Sequence, residues 1–177
     1  MIDADKSRMR TMTESDLDCV LAWRNHPSIR KCMISQHVIT AEEHRRWFSR
    51  SSGDEDRQLL IFEESNSKLG FVHFSGVTSE TTLNWGFYKA PEAPAGTGKK
   101  LGLAALYHGF EVLGAHKVCG QALGINNSSI QFHKSLGFRQ EGVLREQHRI
   151  GDHYYDLFCF GLLKHEWLKR RQSEKSI

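Results

Sequence analysis

The chain has 177 residues, 39% hydrophobic and 25% charged, a globular composition long enough to bury most of its apolar surface in one core. Its 24 Lys and Arg against 21 Asp and Glu leave a formal charge of +3, and the basic residues are dispersed except for Lys169-Arg170-Arg171, which argues against nucleic acid as a partner. With no leader pattern, no apolar run near the roughly 20 residues of a membrane helix, and four scattered cysteines without a CxxC pair, the expectation is a cytoplasmic protein with reduced thiols and no membrane partner: one domain over residues 1–177, ending in a short basic tail from about residue 168.

Ser7 to Arg10 reads as a first strand, and Glu14 to Trp23 as a helix with apolar Leu17, Val20, Leu21 and Trp23, Thr13 or Ser15 serving as N-cap. Pro27 interrupts it, leaving Ser28 to Met33 short and helical or irregular. Thr40-Ala41-Glu42-Glu43 is a capping box that opens a helix through Trp47 and Phe48. Leu59 to Phe62 and Leu69 to Phe74, joined by the polar turn Glu64 to Lys68, form an antiparallel hairpin, with Leu83 to Tyr88 as the third strand of a meander. A glycine-rich turn then opens a long helix to about Leu113. Lys117 to Leu123 is a strand, Ser128 to Leu136 a helix stopped by Gly137, and Val143 to Arg149 pairs with Tyr154 to Leu163 around Gly151-Asp152. The sum is α/β (α+β): one mixed, mostly antiparallel sheet of about seven strands flanked by about four helices.

The glycine turn, Pro94-Ala95-Gly96-Thr97-Gly98-Lys99-Lys100-Leu101-Gly102, is the best clue to a ligand. It stands between a strand and a helix, where free backbone N–H groups and the missing Cβ of glycine make room for a phosphate. A Walker loop fails, because Ala93 replaces its first glycine and Lys100 its magnesium-holding hydroxyl. The dinucleotide pattern GxGxxG fails too, since Leu101 stands where its third glycine belongs. Taken alone, the turn suits a phosphate or a plain strand-to-helix joint.

A second segment narrows the choice. Asn126-Asn127-Ser128-Ser129-Ile130-Gln131-Phe132-His133-Lys134-Ser135-Leu136-Gly137-Phe138, about thirty residues on, resembles the second motif of the GCN5-related N-acetyltransferase (GNAT) family, and the glycine turn resembles its first. The resemblance implies the GNAT fold, acetyl-CoA as cosubstrate and no metal. It places Ala95, Gly96, Thr97, Gly98 and Lys99 at the pyrophosphate, Asn126, Ser129 and Lys134 along the rest of the cosubstrate, and the backbone at Phe87 against the thioester carbonyl as an oxyanion site. Ala93 departs from the family, which usually has Arg or Gln there. The ten histidines show no HExxH or clustered spacing.

Trp23-Arg24-Asn25-His26-Pro27 and Glu42-Glu43-His44, with Trp47, Met33 and Trp85 to Tyr88, resemble the nucleotide-sugar N-acetyltransferases of pseudaminic acid biosynthesis, which act in flagellin glycosylation. That resemblance implies a UDP-linked 4-amino sugar as partner, with Arg24, His44 and Trp47 at the substrate, and leaves room for a homodimer. Tyr88, at the end of its strand, is a further substrate contact or an aromatic plug at a sheet edge, and Ser75, on the face of His73, is a weaker candidate. The planar donor fork of Arg24 suits a phosphate or a base carbonyl, though a surface ion pair would explain it as well. Trp47 serves equally as a stacking surface or as core.

For proton transfer the candidates are His73 and His133. Alternation puts His73 on one face with Phe71 and Ser75, where the resemblance places a base against the acceptor; a satisfied histidine on the other face is the alternative. His133 occupies the place where many relatives carry the tyrosine that protonates the leaving thiolate, and an imidazole there acts as acid or as mere spacer. Competing functions are a ribosomal-type protein N-terminal acetyltransferase and a non-enzymatic acyl-CoA sensor. The basic trio Arg24, Arg30 and Lys31 favours an anionic substrate over either a free N-terminus or a cationic drug.

Overall fold

The computed structural model describes residues 7–79 and 81–175; residues 1–6, where no leader pattern was read, and the last two positions of the basic tail lie outside them. Its strands are β1 (Ser7–Thr11), β2 (Arg57–Glu64), β3 (Ser67–Ser75), β4 (Thr82–Lys89), β5 (Lys117–Leu123), β6 (Arg139–Ile150) and β7 (His153–Leu163). Six helices join them: α1 (Leu17–Asn25), α2 (Pro27–Arg30), α3 (Ala41–Ser52), α4 (Thr97–Tyr107), α5 (Asn127–Ser135) and α6 (Lys164–Lys175). The strands form one sheet in the order β1-β2-β3-β4-β5-β7-β6. Every neighbouring pair is antiparallel except β4 with β5.

Alternation along the strands divides the apolar residues between two faces. Leu60, Phe62, Val72, Phe74, Trp85, Val118 and Phe160 pack with α4 and α5 on one side. Leu59, Ile61 and Phe71 pack with Val20 and Trp23 of α1 and Phe48 of α3 on the other. Helix α3 begins where the sequence supplies a cap. Thr40 Oγ1 accepts the Glu43 N–H (3.2 Å) while Glu43 accepts the Thr40 N–H (2.7 Å), so two otherwise unpaired donors at the helix start are satisfied reciprocally. Before α1, a short 3-10 turn ends at Asp16, which is fully buried. Its carboxylate takes two bonds from Arg10, at 2.7 and 2.8 Å, and an ion pair from Lys68 at 2.7 Å. Those partners outweigh the desolvation and hold it well below the usual carboxylate range.

Two boundaries differ from expectation for physical reasons. The helix after the glycine turn is α-helical only to Tyr107 and continues as a π-helical turn, His108–Val112. Its His108 ring reaches the Gln58 side chain at 2.7 Å. The sixth helix, α6, contains most of the expected basic tail. It lacks an apolar stripe and buries one large apolar side chain, Trp167, 3% exposed against Phe110 at 5.2 Å between rings, while Lys164 donates to the Phe110 carbonyl (2.9 Å) and Glu166 pairs with Arg139 (2.9 Å). Arg170 of α6 also donates to the Ser135 carbonyl at the end of α5 (2.7 Å).

The parallel pair matters most for the site. β4 and β5 share a ladder only over Thr82–Asn84 and Lys117–Cys119, so Trp85 to Lys89 and Gly120 to Leu123 diverge with no ladder between them. Because the two strands run the same way, their carboxyl ends open on one side of the sheet, where α4 and α5 begin.

Candidate active site

Two regions meet at β4. The first is the cleft between the diverging strands. At its mouth Gly96, with φ of +86°, is the left-handed N-cap of α4, a conformation that any Cβ would strain. No side chain caps this helix and its first turn holds no acidic residue, so its positive end is uncompensated. A Cβ at Gly98 would meet no protein atom closer than 3.9 Å, which leaves open space in front of the backbone. Ala95 and Lys99 are exposed. Thr97, by contrast, is 2% exposed and its N–H closes the turn on the Pro94 carbonyl (3.2 Å), so its hydroxyl is withdrawn from any ligand. At the other helix, Asn126 Oδ1 accepts the Ser129 N–H (3.1 Å) and caps α5. Lys134 is exposed in the last turn of α5, away from that N-terminus. A pyrophosphate and an extended amide-bearing arm match this cradle: anion at a bare helix N-terminus, amides along free strand edges.

The second region is a cavity of about 270 Å³ on the opposite face of the sheet, lined by Arg24, His44, Trp47, Arg57, His73 and Tyr88 together with Met33 and Ile39 of the α2–α3 loop. Its size is at the low end of small-molecule sites, roughly 300 Å³ and above. Asn25 ties that loop down in both directions, donating to the Ile39 carbonyl (2.8 Å) and accepting its N–H (2.9 Å). A row of rings forms one wall: His44 on Trp47 at 5.0 Å, Trp47 on Phe71 at 5.9 Å, Phe71 near His73 at 6.0 Å. His73 faces Gly86 across the ladder, and a Cβ at Gly86 would run into its Nε2. That glycine therefore brings the imidazole onto β4 beside the cleft.

The electrostatics of the cavity are one-sided. Arg24 Nη2 donates to the Ser35 carbonyl (2.7 Å), but Arg24 Nη1 is buried without a partner, a costly arrangement for a charged donor unless something else fills it. No Asp or Glu lines the cavity. Burial, joined by the charge of Arg57, brings His73 down to about 4, and burial also lowers His44 despite Asp18 nearby. Both imidazoles are thus neutral at pH 7, and neither ring nitrogen of either one is hydrogen-bonded among the described residues. Burial also raises the Tyr88 phenol, which stays protonated.

His133, the expected acid, is held on both sides. It is 1% exposed, stacked on Phe160 at 4.8 Å, and both its nitrogens are taken. Trp85 Nε1 donates to its Nε2 (3.1 Å), and its Nδ1 lies 2.8 Å from the Ser129 carbonyl. An indole N–H only donates, so Nε2 must accept and Nδ1 must carry the proton that goes to Ser129. Burial lowers its affinity for a second proton. The ring's one proton is committed to the Ser129 carbonyl, and the histidine ties α5 to β4. Gly120 makes that possible, since a Cβ there would overlap both His133 Nε2 and Trp85 Nε1.

Of the other expected substrate residues, Arg24, His44, Trp47 and Tyr88 share the cavity with His73, and Phe87 touches it from β4. Ser75 lies one step beyond, across from Arg57. Arg57 itself was overlooked in the sequence, where a charged residue opening a strand reads as solvent-facing; alternation with the buried Leu59 was the available signal. Among the described residues no group of three His, Cys, Asp or Glu is arranged to hold a metal ion, all four cysteines are free, and no helix is long and apolar enough to cross a membrane.

Comparison with known proteins places this architecture. Residues 7–139 match the model of the acetyltransferase (GNAT) domain family. The chain therefore belongs to that family, which makes it an acetyl-CoA-dependent N-acetyltransferase. Among its relatives, the SPbeta prophage-derived uncharacterized N-acetyltransferase YokL of Bacillus subtilis is 28% identical over 72% of this chain and 73% of its own. Acetyltransferase PseH of Campylobacter jejuni is 22% identical over 72% and 79%. The spermidine N-acetyltransferase of Vibrio cholerae, solved in complex with CoA and spermine, superposes with a TM-score of 0.85 at 20% identity, covering 93% of this chain and 99% of that one. This last likeness is one of fold.

Proposed function

We propose that the protein acetylates the 4-amino group of a UDP-linked amino-dideoxy sugar, in the cytoplasm, as a step of pseudaminic acid biosynthesis for flagellin glycosylation. The observation that carries this reading is the unpartnered, buried Nη1 of Arg24 in a cavity without a carboxylate. A guanidinium so placed is completed by a phosphate or carbonyl oxygen. The likeness of the Arg24 and His44 segments to nucleotide-sugar acetyltransferases, and the distant similarity to PseH, agree with it.

Acetyl-CoA supplies an activated acetyl thioester in the cleft between β4 and β5, with Gly96, Gly98 and Lys99 holding the pyrophosphate and the α5 cap at Asn126 and Ser129 bordering the arm. The positive charges of Arg24 and Arg57 disfavour an ammonium ion, so the acceptor amine is held in its neutral, nucleophilic form. His73, neutral at pH 7 and free at its ring nitrogens, takes the proton that the nitrogen sheds as it acylates; that nitrogen is strongly acidic by then, so a base with a low pKa suffices. As the new N–C bond forms the C–S bond breaks, and CoA leaves as a thiolate that takes its proton from solvent. The backbone N–H groups near Phe87 stabilise the carbonyl oxygen. Tyr88, protonated throughout, orients the sugar by a hydrogen bond.

A polyamine, the ligand of the Vibrio cholerae neighbour, fits this cavity poorly, because a polycation would meet two guanidinium groups and no acid. A thiol-release assay with a UDP-linked 4-amino sugar, spermidine, a ribosomal N-terminal peptide and no acceptor separates the readings. Release with the sugar alone is expected; release with spermidine or peptide and none with the sugar would overturn the assignment.

A further inference from the structure

We propose that Arg57 is a specificity residue, holding a second electronegative oxygen of the acceptor on the side of the reacting amine opposite to Arg24. The inference rests on the anionic-acceptor reading above and adds a second anchor to it.

Arg57 opens β2, and alternation places it on the cavity face with Leu59. In register it stands across from Ser75, while Leu59 stands across from His73. A guanidinium, a hydroxyl and an imidazole therefore share one face of two adjacent strands. Arg24 reaches the other end of the cavity, where its charge acts on Tyr88, and Tyr88 is paired with Phe71. Phe71 and Ser75 are four residues apart on β3, about 13 Å at roughly 3.3 Å per residue. His73 stands between those two positions on the strand.

The guanidinium of Arg57 is available for a ligand. Its Nε pairs with Asp54 at 3.3 Å, both side chains being nearly half exposed, a contact of the weakest kind. Its terminal nitrogens make no other hydrogen bond among the described residues. The adjacent Asp56 is turned away, accepting from the N–H groups of Gly76 and Thr78 and from the Thr78 hydroxyl. A planar fork beside a hydroxyl recognises a phosphate, carboxylate or amide oxygen. Its charge, added to burial, also keeps His73 unprotonated, so one residue serves both acceptor selection and the state of the base.

The test has two readouts. In steady-state kinetics with the UDP-linked 4-amino sugar, Arg57→Gln is expected to raise the acceptor KM about tenfold or more, to leave the acetyl-CoA KM and the melting temperature unchanged, and to be partly rescued by Arg57→Lys. In parallel, the His73 ring signals are followed by NMR while inorganic phosphate is added. They are expected to move in the wild type and to stay in place in Arg57→Gln. An unchanged acceptor KM, or equal phosphate shifts in both proteins, overturns the role of Arg57. If the wild type leaves the sugar unacetylated, the sugar reading falls by itself and the phosphate titration still decides Arg57.

Discussion

His73 and His133 lie on opposite faces of the same sheet, and they differ in one respect above all others. Around His133 every polar atom is spoken for: the Trp85 N–H, both ring nitrogens and the Ser129 carbonyl close on one another. Around His73 they are not. Its ring and the ring of His44 line a cavity with no hydrogen bond among the described residues, and Arg24, which lines the same cavity, has its Nη1 buried without a partner. Folding selects for satisfied buried groups, so a satisfied histidine needs no further explanation, whereas a cluster of unsatisfied groups around a cavity marks a binding site.

The comparison breaks if either histidine behaves like the other. His73→Gln should cut kcat/KM by about 10² or more, the usual effect of losing a positioned base, with little change in melting temperature. A variant of near wild-type turnover would return His73 to the role of a wall residue. Gly98→Val should come next, weakening acetyl-CoA in direct binding without unfolding the chain, because only Phe132 at 3.9 Å faces the added Cβ; unaltered affinity would remove the α4 N-terminus from the pyrophosphate site. His133→Leu should strand the Trp85 N–H and cost about 1–3 kcal/mol of stability, read as a lower melting temperature, while the folded fraction keeps its turnover. A large loss of kcat at unchanged stability would restore the acid role.

The smallest effect is in pH. The His73 imidazole binds its proton near 4 when folded and near 6.5 when unfolded. Between those values the unfolded chain holds more protons, so stability falls as pH drops from about 6.5 to about 4. His44, His108 and His133 are lowered in the same sense and add to the slope. Thermal melts across that range should show His73→Gln with a shallower acid decline than the wild type; parallel curves would mean that the ring is solvated rather than buried.

What could be read in the sequence follows from range. The Thr40 capping box, the β2–β3 hairpin and the glycine turn that opens α4 are local patterns, decided within a few residues, and the structure contains all three. The seven-stranded mixed sheet followed from strand alternation for the same reason. The role of His133 is decided by Trp85, 48 residues away, and by the absence of a side chain at Gly120. No spacing rule reports that, so an imidazole in a motif position looked catalytic. Arg57 was missed for the converse reason, since its exposure on one side hides its place at a cavity on the other. The last helix escaped because one buried tryptophan and scattered polar bonds, rather than an apolar stripe, hold it.

The most direct test of the account concerns Arg24, whose buried and unpaired nitrogen is the main evidence for an anionic acceptor. The acceptor KM and the melting temperature should be measured together for Arg24→Met. The account predicts an acceptor KM raised about tenfold or more, from loss of a charge-assisted hydrogen bond, with a melting temperature equal to or above that of the wild type, because an unsatisfied buried donor has been removed. An unchanged KM with a lowered melting temperature would contradict it, and would make Arg24 a strut for the Ser35 loop.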